Sequence, residues 1–128
     1  MYFAIEIVDL FKQLNVRKEW VMSKQLLRSG TAVGALIKEA EHSESKKDFV
    51  HKLSIALKEA NETGYWLELL WKTDYLSNRI YTTYAEKVKE LKRLLIAIIK
   101  TTKQRYLWQL SILKYQFSIK HMKIENSA

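Results

Sequence analysis

A chain of 128 residues without cysteine has neither a disulfide framework nor a thiolate metal site, yet it is long enough to bury a core without them. It contains no proline and only three glycines, too few of the residues that a sheet-rich domain spends on its turns, so the composition points to helix. The net charge of +8 is unevenly placed: residues 1–81 hold 12 Lys and Arg against 11 Asp and Glu, whereas residues 82–128 hold 10 against 3.

The N-terminal stretch MYFAIEIVDLFKQL carries Glu6 and Asp9 among its apolar residues and lacks the basic start and small-residue cleavage site of an export signal. The longest purely apolar run, Leu94 to Ile99, is far short of the roughly 20 residues that span a bilayer. These features set the expectation of a soluble, cytoplasmic protein with no membrane partner.

Helical spacing of Phe3, Ile7, Leu10, Phe11 and Leu14 predicts a first helix from about Tyr2 to Leu14. After a break at Asn15 to Lys18, the residues Leu26, Gly30, Val33, Ile37 and Ala40 alternate steps of four and three, a heptad-like seam on a second helix. Gly30 and Gly34 lie one turn apart and would let another helix approach closely. His42-Ser43-Glu44-Ser45 reads as a connection, with Ser45 capping a third helix that starts at Lys46 and Asp48 in the capping-box position. Phe49, Leu53, Ala56, Ala60, Thr63, Leu67 and Leu70 give that helix the strongest period in the chain. If it reaches Tyr75 it is about 45 Å long. Ser77 caps a fourth helix with a face of Ile80, Tyr84, Val88, Leu91, Leu95 and Ile98, and with Lys87, Lys89, Lys92, Arg93, Lys100 and Lys103 interleaved. The fold expected is all-α, an antiparallel up-and-down four-helix bundle over residues 1–103, followed by a basic, aromatic tail over 104–128. Three readings of the tail stay open: it extends the fourth helix, docks on a neighbouring subunit, or stays mobile, with its last residues, IENSA, disordered.

No catalytic motif emerges. Glu39 and His42 have the Glu-x-x-His spacing of four-helix di-iron proteins, and Glu59 and Glu62 lie on the next helix. The second such pair is missing, however, and His51 and His121 do not complete it, so no metal and no cofactor is expected. Ser43 and Ser45 beside His42 read as helix caps rather than nucleophiles. Gly30 to Gly34 lacks the lysine and hydroxyl that follow the last glycine of a phosphate-binding loop. Tyr65, Trp66 and Trp71 are read as core or subunit interface rather than as a platform for bases. The cationic excess after residue 81 suggests a polyanion partner, RNA or DNA, contacted through Lys92, Arg93, Lys100, Lys103 and Arg105 with Arg28, Lys46 and Lys47. The competing reading is a protein-interaction scaffold whose Trp and Tyr face carries the partner and whose cations serve solubility.

The segment from Leu26 to Leu70 resembles the bacterial four-helix bundle proteins called 23S rRNA intervening-sequence proteins. The resemblance rests on Arg28-Ser29, Ser43 and Ser45, Lys47 and Phe49, then Ala56, Glu59, Glu62-Thr63 and Tyr65-Trp66, and extends over about residues 3–103. One departure is the stretch Ala35-Leu36-Ile37-Lys38-Glu39, where many members carry Asn-Ile-x-Glu. The resemblance implies an up-and-down bundle, assembly as a ring-shaped homopentamer with a central channel, and a weakly defined function; the non-enzymatic expectation rests on the absence of a catalytic motif. Some members are encoded within insertions in the large ribosomal RNA gene. A related bundle is the accessory protein of diversity-generating retroelements, where it partners a reverse transcriptase and its RNA template.

Overall fold

The computed structural model describes residues 2–127, and these form four α-helices: α1 (Tyr2–Val16), α2 (Met22–Glu41), α3 (Lys46–Lys72) and α4 (Asn78–Ser127). Consecutive helices pack on one another, α1 on α2, α2 on α3 and α3 on α4, which gives the up-and-down order. Contacts from α1 to α4 close the bundle. The Tyr84 hydroxyl donates to the Glu6 carbonyl at 2.9 Å, and the Lys87 ammonium meets the Glu6 carboxylate. At the opposite end of α1, the Arg17 guanidinium donates to the Asp74 carbonyl at 3.1 Å and to the Tyr75 carbonyl, and lies over the Tyr75 ring.

The core falls into two clusters. Ile7, Leu10 and Leu14 of α1 join Leu26, Leu67, Leu70, Leu76 and Val88 in the first. The second, made of Val33, Ala40, Leu53, Ala56, Ala60 and Leu95, has no α1 residue, because α1 is only 15 residues long beside the 27 of α3. The heptad seams of α2 and α3 are the buried faces, as their spacing requires. Between the clusters the buried hydroxyls of Ser29 and Thr63 lie 2.9 Å apart; Thr63 donates to the Glu59 carbonyl at 2.8 Å, so Ser29 is the donor between them.

Local chemistry sets the helix ends. Ser45 is extended, and its hydroxyl accepts from the Asp48 N–H at 3.0 Å; the Ser77 hydroxyl accepts from the Ile80 N–H at 3.2 Å. Ser43 departs from the expected capping role: its hydroxyl is buried without a hydrogen-bond partner. The start of α2 depends on Glu19, which sequence reasoning passed over. Lys18 takes a left-handed conformation (φ 63°) that turns the chain back, leaving the Glu19 carboxylate only 6% exposed. It accepts from the N–H groups of Val21, Met22 and Ser23 at 3.1, 3.0 and 2.7 Å. A carboxylate on three orphan donors at a helix N-terminus is favoured by both hydrogen bonding and the helix dipole. Glu19→Ala should therefore cost about 2 kcal/mol, read as a lower urea midpoint at unchanged m-value.

Four further expectations are corrected. The third helix stops at Lys72, not Tyr75, because Thr73 ends it and Asp74 turns left-handed (φ 69°). On α4, Ile98 is 44% exposed and Ile99 packs on the second cluster instead, since the seam takes a step of four after Leu95. A Cβ on Gly30 would meet Ile7 of α1, as a close approach demands, but one on Gly34 would meet nothing within 4 Å. Beyond residue 103, α4 continues unbroken to Ser127, so Ile124 to Ser127 of the stretch expected to be disordered are helical. No glycine or proline follows Gly64 to stop the helix.

Candidate nucleic-acid interface

Helical geometry decides which cations of α4 share a surface. At 3.6 residues per turn, Lys89, Lys92, Lys100 and Lys103, with Arg93 alongside, follow one another along one flank of the helix. Ile96 and Leu107 complete the same stripe. Arg93, Lys100 and Lys103 are exposed and Lys92 is half-buried; among the described residues none of them pairs with a carboxylate. From residue 91 to residue 124 the sequence contains no Asp or Glu; Glu86 and Glu90, three residues before Lys89 and Arg93, are the acidic neighbours of the stripe on α4. At its far end Lys103 lines a small cavity with Lys46, Lys47, Val50, Thr102 and Tyr106, where the N-terminus of α3 meets α4. Lys46 reaches across it to the Gln109 side chain. Six of the eight residues expected from sequence to bind nucleic acid thus share one side of the protein.

Arg105 and Arg28 do not. Arg105 follows Lys103 by two positions, about 200° round the helix, and faces the opposite flank. Lys89, by contrast, belongs to the stripe and was missing from the expected set, although its spacing of three residues from Lys92 and eleven from Lys100 carries the signal.

Arg28 projects from α2 and is held between two carboxylates of α3. Its guanidinium lies 3.1 Å from Glu59 Oε2 and meets Glu62, which also accepts from Trp66 Nε1 at 3.2 Å; the Tyr65 ring stands edge-on to Trp66 at 5.0 Å. The bond from Arg28, then that from Trp66, holds the Glu62 carboxyl below its usual range, and the Arg28 guanidinium is raised in turn, chiefly by its bond to Glu62. Any stability from this pair is fully present above the ordinary carboxylate pKa of 4.5 and fades as the pH falls through Glu62's own lower value. Arg28→Met should bring the Glu62 pKa back up, read by NMR titration of its carboxyl carbon, with little change in stability at neutral pH because the pair is exposed.

The remaining candidates are engaged in the fold. Glu39 accepts from Lys52 at 3.1 Å, and His42 ends α2, its backbone N–H donating to the Glu39 carbonyl and that of Ser43 to the Ala40 carbonyl, both at 3.1 Å. Glu59 and Glu62 are taken by Arg28. Among the described residues no three His, Asp or Glu side chains gather as a metal set, and the side chain of His121 lies outside them. Trp71 stacks on Tyr81 with ring centroids 4.3 Å apart and donates to Asn78 Oδ1 at 2.6 Å; Trp66 and Trp71 both pack on the first core cluster.

Arg28, Ser29, Glu59, Glu62, Thr63, Tyr65 and Trp66 form one contiguous group across α2 and α3. The family model of the 23S rRNA-intervening sequence protein matches residues 1–97. The chain belongs to that family. It is also similar to a solved structure, that of a protein with unknown function from the S23 ribosomal protein family of Bacteroides thetaiotaomicron VPI-5482. The two are 56% identical with a TM-score of 0.76, over 77% of this chain and 93% of the other. No curated protein is significantly similar to it. Neither match is to an enzyme family. The intervening-sequence model ends within α4, so the family domain includes Lys89, Lys92 and Arg93, while Lys100, Lys103 and the rest of the helix lie beyond it. No helix among the described residues is long and apolar enough to cross a membrane.

Proposed function

We propose that this intervening-sequence protein is a non-enzymatic, homo-oligomeric bundle, ring-shaped and pentameric, that binds the backbone of RNA or DNA and serves as a cytoplasmic adaptor in a ribonucleoprotein. The observation that carries the reading is the flank of Lys89, Lys92, Arg93, Lys100 and Lys103, joined by Lys46 and Lys47, with no carboxylate paired to it among the described residues. Cations spaced along a rigid helix neutralise successive phosphates and release their counterions, without reading base edges. Repetition of the flank around an oligomer multiplies weak contacts by raising the local concentration of each. A reverse transcriptase with its template RNA is the protein partner to try first.

The test is fluorescence anisotropy of nuclease-treated protein against a structured RNA, a single strand and a duplex DNA, each across a salt series. With about five phosphate contacts per subunit, duplex affinity should fall about 500-fold between 50 and 200 mM salt. No binding at low salt would refute the backbone reading. Capture of a partner protein that persists at high salt would favour a scaffold, whose surface would include the exposed Tyr65.

A further inference from the structure

The cavity between the start of α3 and the passing α4 joins an apolar surface to a cationic rim. Val50, Thr102 and Tyr106 form it together with Lys46, Lys47 and Lys103, and the surface they leave open is apolar. Lysine lines such a surface with its methylene stem and keeps its ammonium in water, so three positive charges stand around an apolar slot. Glu44 and Asp48 are the nearest acids in the sequence, and neither lines it. None of the three lysines pairs with a carboxylate among the described residues. Lys46 bonds the Gln109 side chain, a neutral partner that leaves its charge uncompensated.

The size of the slot says how much of a ligand it holds. Its volume is about 150 Å³. Sites that enclose a whole small molecule run to roughly 300–1,000 Å³, so this one takes a single apolar group of a larger ligand whose remainder carries negative charge past the lysines. Tyr106 is 41% exposed and offers its ring to that group, whereas Trp66 and Trp71 pack on the first core cluster. Lys103 belongs both to the slot and to the cationic flank of α4, whose first member, Lys89, lies 14 residues back, about 21 Å along the helix. An anionic polymer lying on the flank therefore runs into the slot. A polymer that repeats an anion and a flat ring in every unit is a nucleic acid, and an unpaired strand can turn a ring out of its stack without breaking base pairs.

We infer that this slot takes one unstacked base of a single-stranded nucleic acid, laid against the Tyr106 ring, while the phosphates on either side of it meet Lys46, Lys47 and Lys103. The inference rests on the proposed function and deepens it, because it makes the preferred ligand a single strand. A surface that binds backbones alone favours the denser charge of a duplex; the slot reverses that order. Thr102, Lys103 and Tyr106 lie beyond residue 97, where the family match ends, so half of the slot is built from the part of α4 outside the family domain.

The experiment is fluorescence anisotropy of the full-length protein with three labelled probes of equal length, an oligothymidylate, the same backbone without bases, and a duplex, each across a salt series. The wild type, Tyr106→Ala and Tyr106→Trp are compared, with far-ultraviolet circular dichroism confirming that each keeps its helix content. The wild type should bind oligothymidylate about tenfold more tightly than the abasic strand, the scale of one stacked base, and more tightly than the duplex. Tyr106→Ala should lose that tenfold at an unchanged salt slope, since no phosphate contact is removed, and should bind the two single strands alike; Tyr106→Trp should keep the preference. A duplex or an abasic strand bound as tightly as oligothymidylate would overturn the slot and leave the backbone reading intact. A loss in Tyr106→Ala that is equal for both single strands would do the same, by giving Tyr106 a purely structural role. Displacement by polyglutamate as effective as that by unlabelled oligothymidylate of equal charge would overturn it in favour of an acidic peptide. No binding of any probe at low salt would refute the proposed function together with this inference.

Discussion

Reversing Lys92, Arg93 and Lys100 to glutamate should lower affinity for RNA or duplex DNA by roughly three orders of magnitude at low salt, about tenfold for each phosphate contact converted to a repulsion. The slope of log affinity against log salt should flatten by about 3, because three fewer counterions are released per subunit. The effect is large because α4 carries no Asp or Glu from residue 91 to residue 124, so the reversals place negative charge among cations that pair with no carboxylate among the described residues. Stability should barely change: Arg93 and Lys100 are exposed, and no ion pair is broken among the described residues. Arg105→Glu is the matched control on the opposite flank, and its effect should be smaller. Equal losses from Arg105→Glu and from a single reversal at Lys100 would mean that net charge alone, rather than this flank, drives binding.

Gly30→Leu should destabilise the fold by about 3 kcal/mol, at the upper end of overpacking effects. A Cβ at residue 30 would fall 2.8 Å from Ile7 Cγ2 and 2.9 Å from Ile7 Cγ1, atoms bonded to or near the stiff branch of a fully buried side chain. α1 must then move away from α2, and it carries Leu10 and Leu14 of the same cluster with it. The gain in helix propensity, about 1 kcal/mol over glycine, does not offset this. Ile7→Ala removes the obstructing atoms, so the double variant should recover a substantial part of the loss. Denaturant unfolding of the four members of the cycle measures that coupling, and simple additivity would mean that the two positions do not press on each other. Gly34→Leu, where the space is open, is the control and should not destabilise the fold, gaining up to about 1 kcal/mol of helix propensity.

The buried faces of α1, α2 and α3 were legible in the sequence because a heptad period over several turns has only one way to face a core. Ser45 and Ser77 were legible because capping requires a hydroxyl directly before a periodic run. Glu19 was not: its role depends on the left-handed turn at Lys18 that aims its carboxylate at the next helix, and no spacing rule encodes that turn. The exchange of Ile98 for Ile99 arose where steps of three and four are equally regular and the facing helix decides between them. The cationic flank was mostly readable from spacing along α4, but the capture of Arg28 by Glu59 and Glu62 needed the register between α2 and α3. The continuation of α4 past the bundle was one of three readings left open, since its apolar residues give no single hydrophobic face.

Nearly all the packing in this bundle joins helices that are consecutive in the chain, and the exception is the closure of α1 against α4. Glu6 and Tyr84 meet across 78 positions, and Arg17 reaches Tyr75 across 58. Local pairings cost little loop entropy and form early, so the search for the native state is short, and with no proline in the chain no slow isomerisation delays it. The α1 to α4 closure carries the largest entropic cost and falls last, which makes the detachment of α1, with α2, α3 and α4 still associated, the first step by which the folded protein opens.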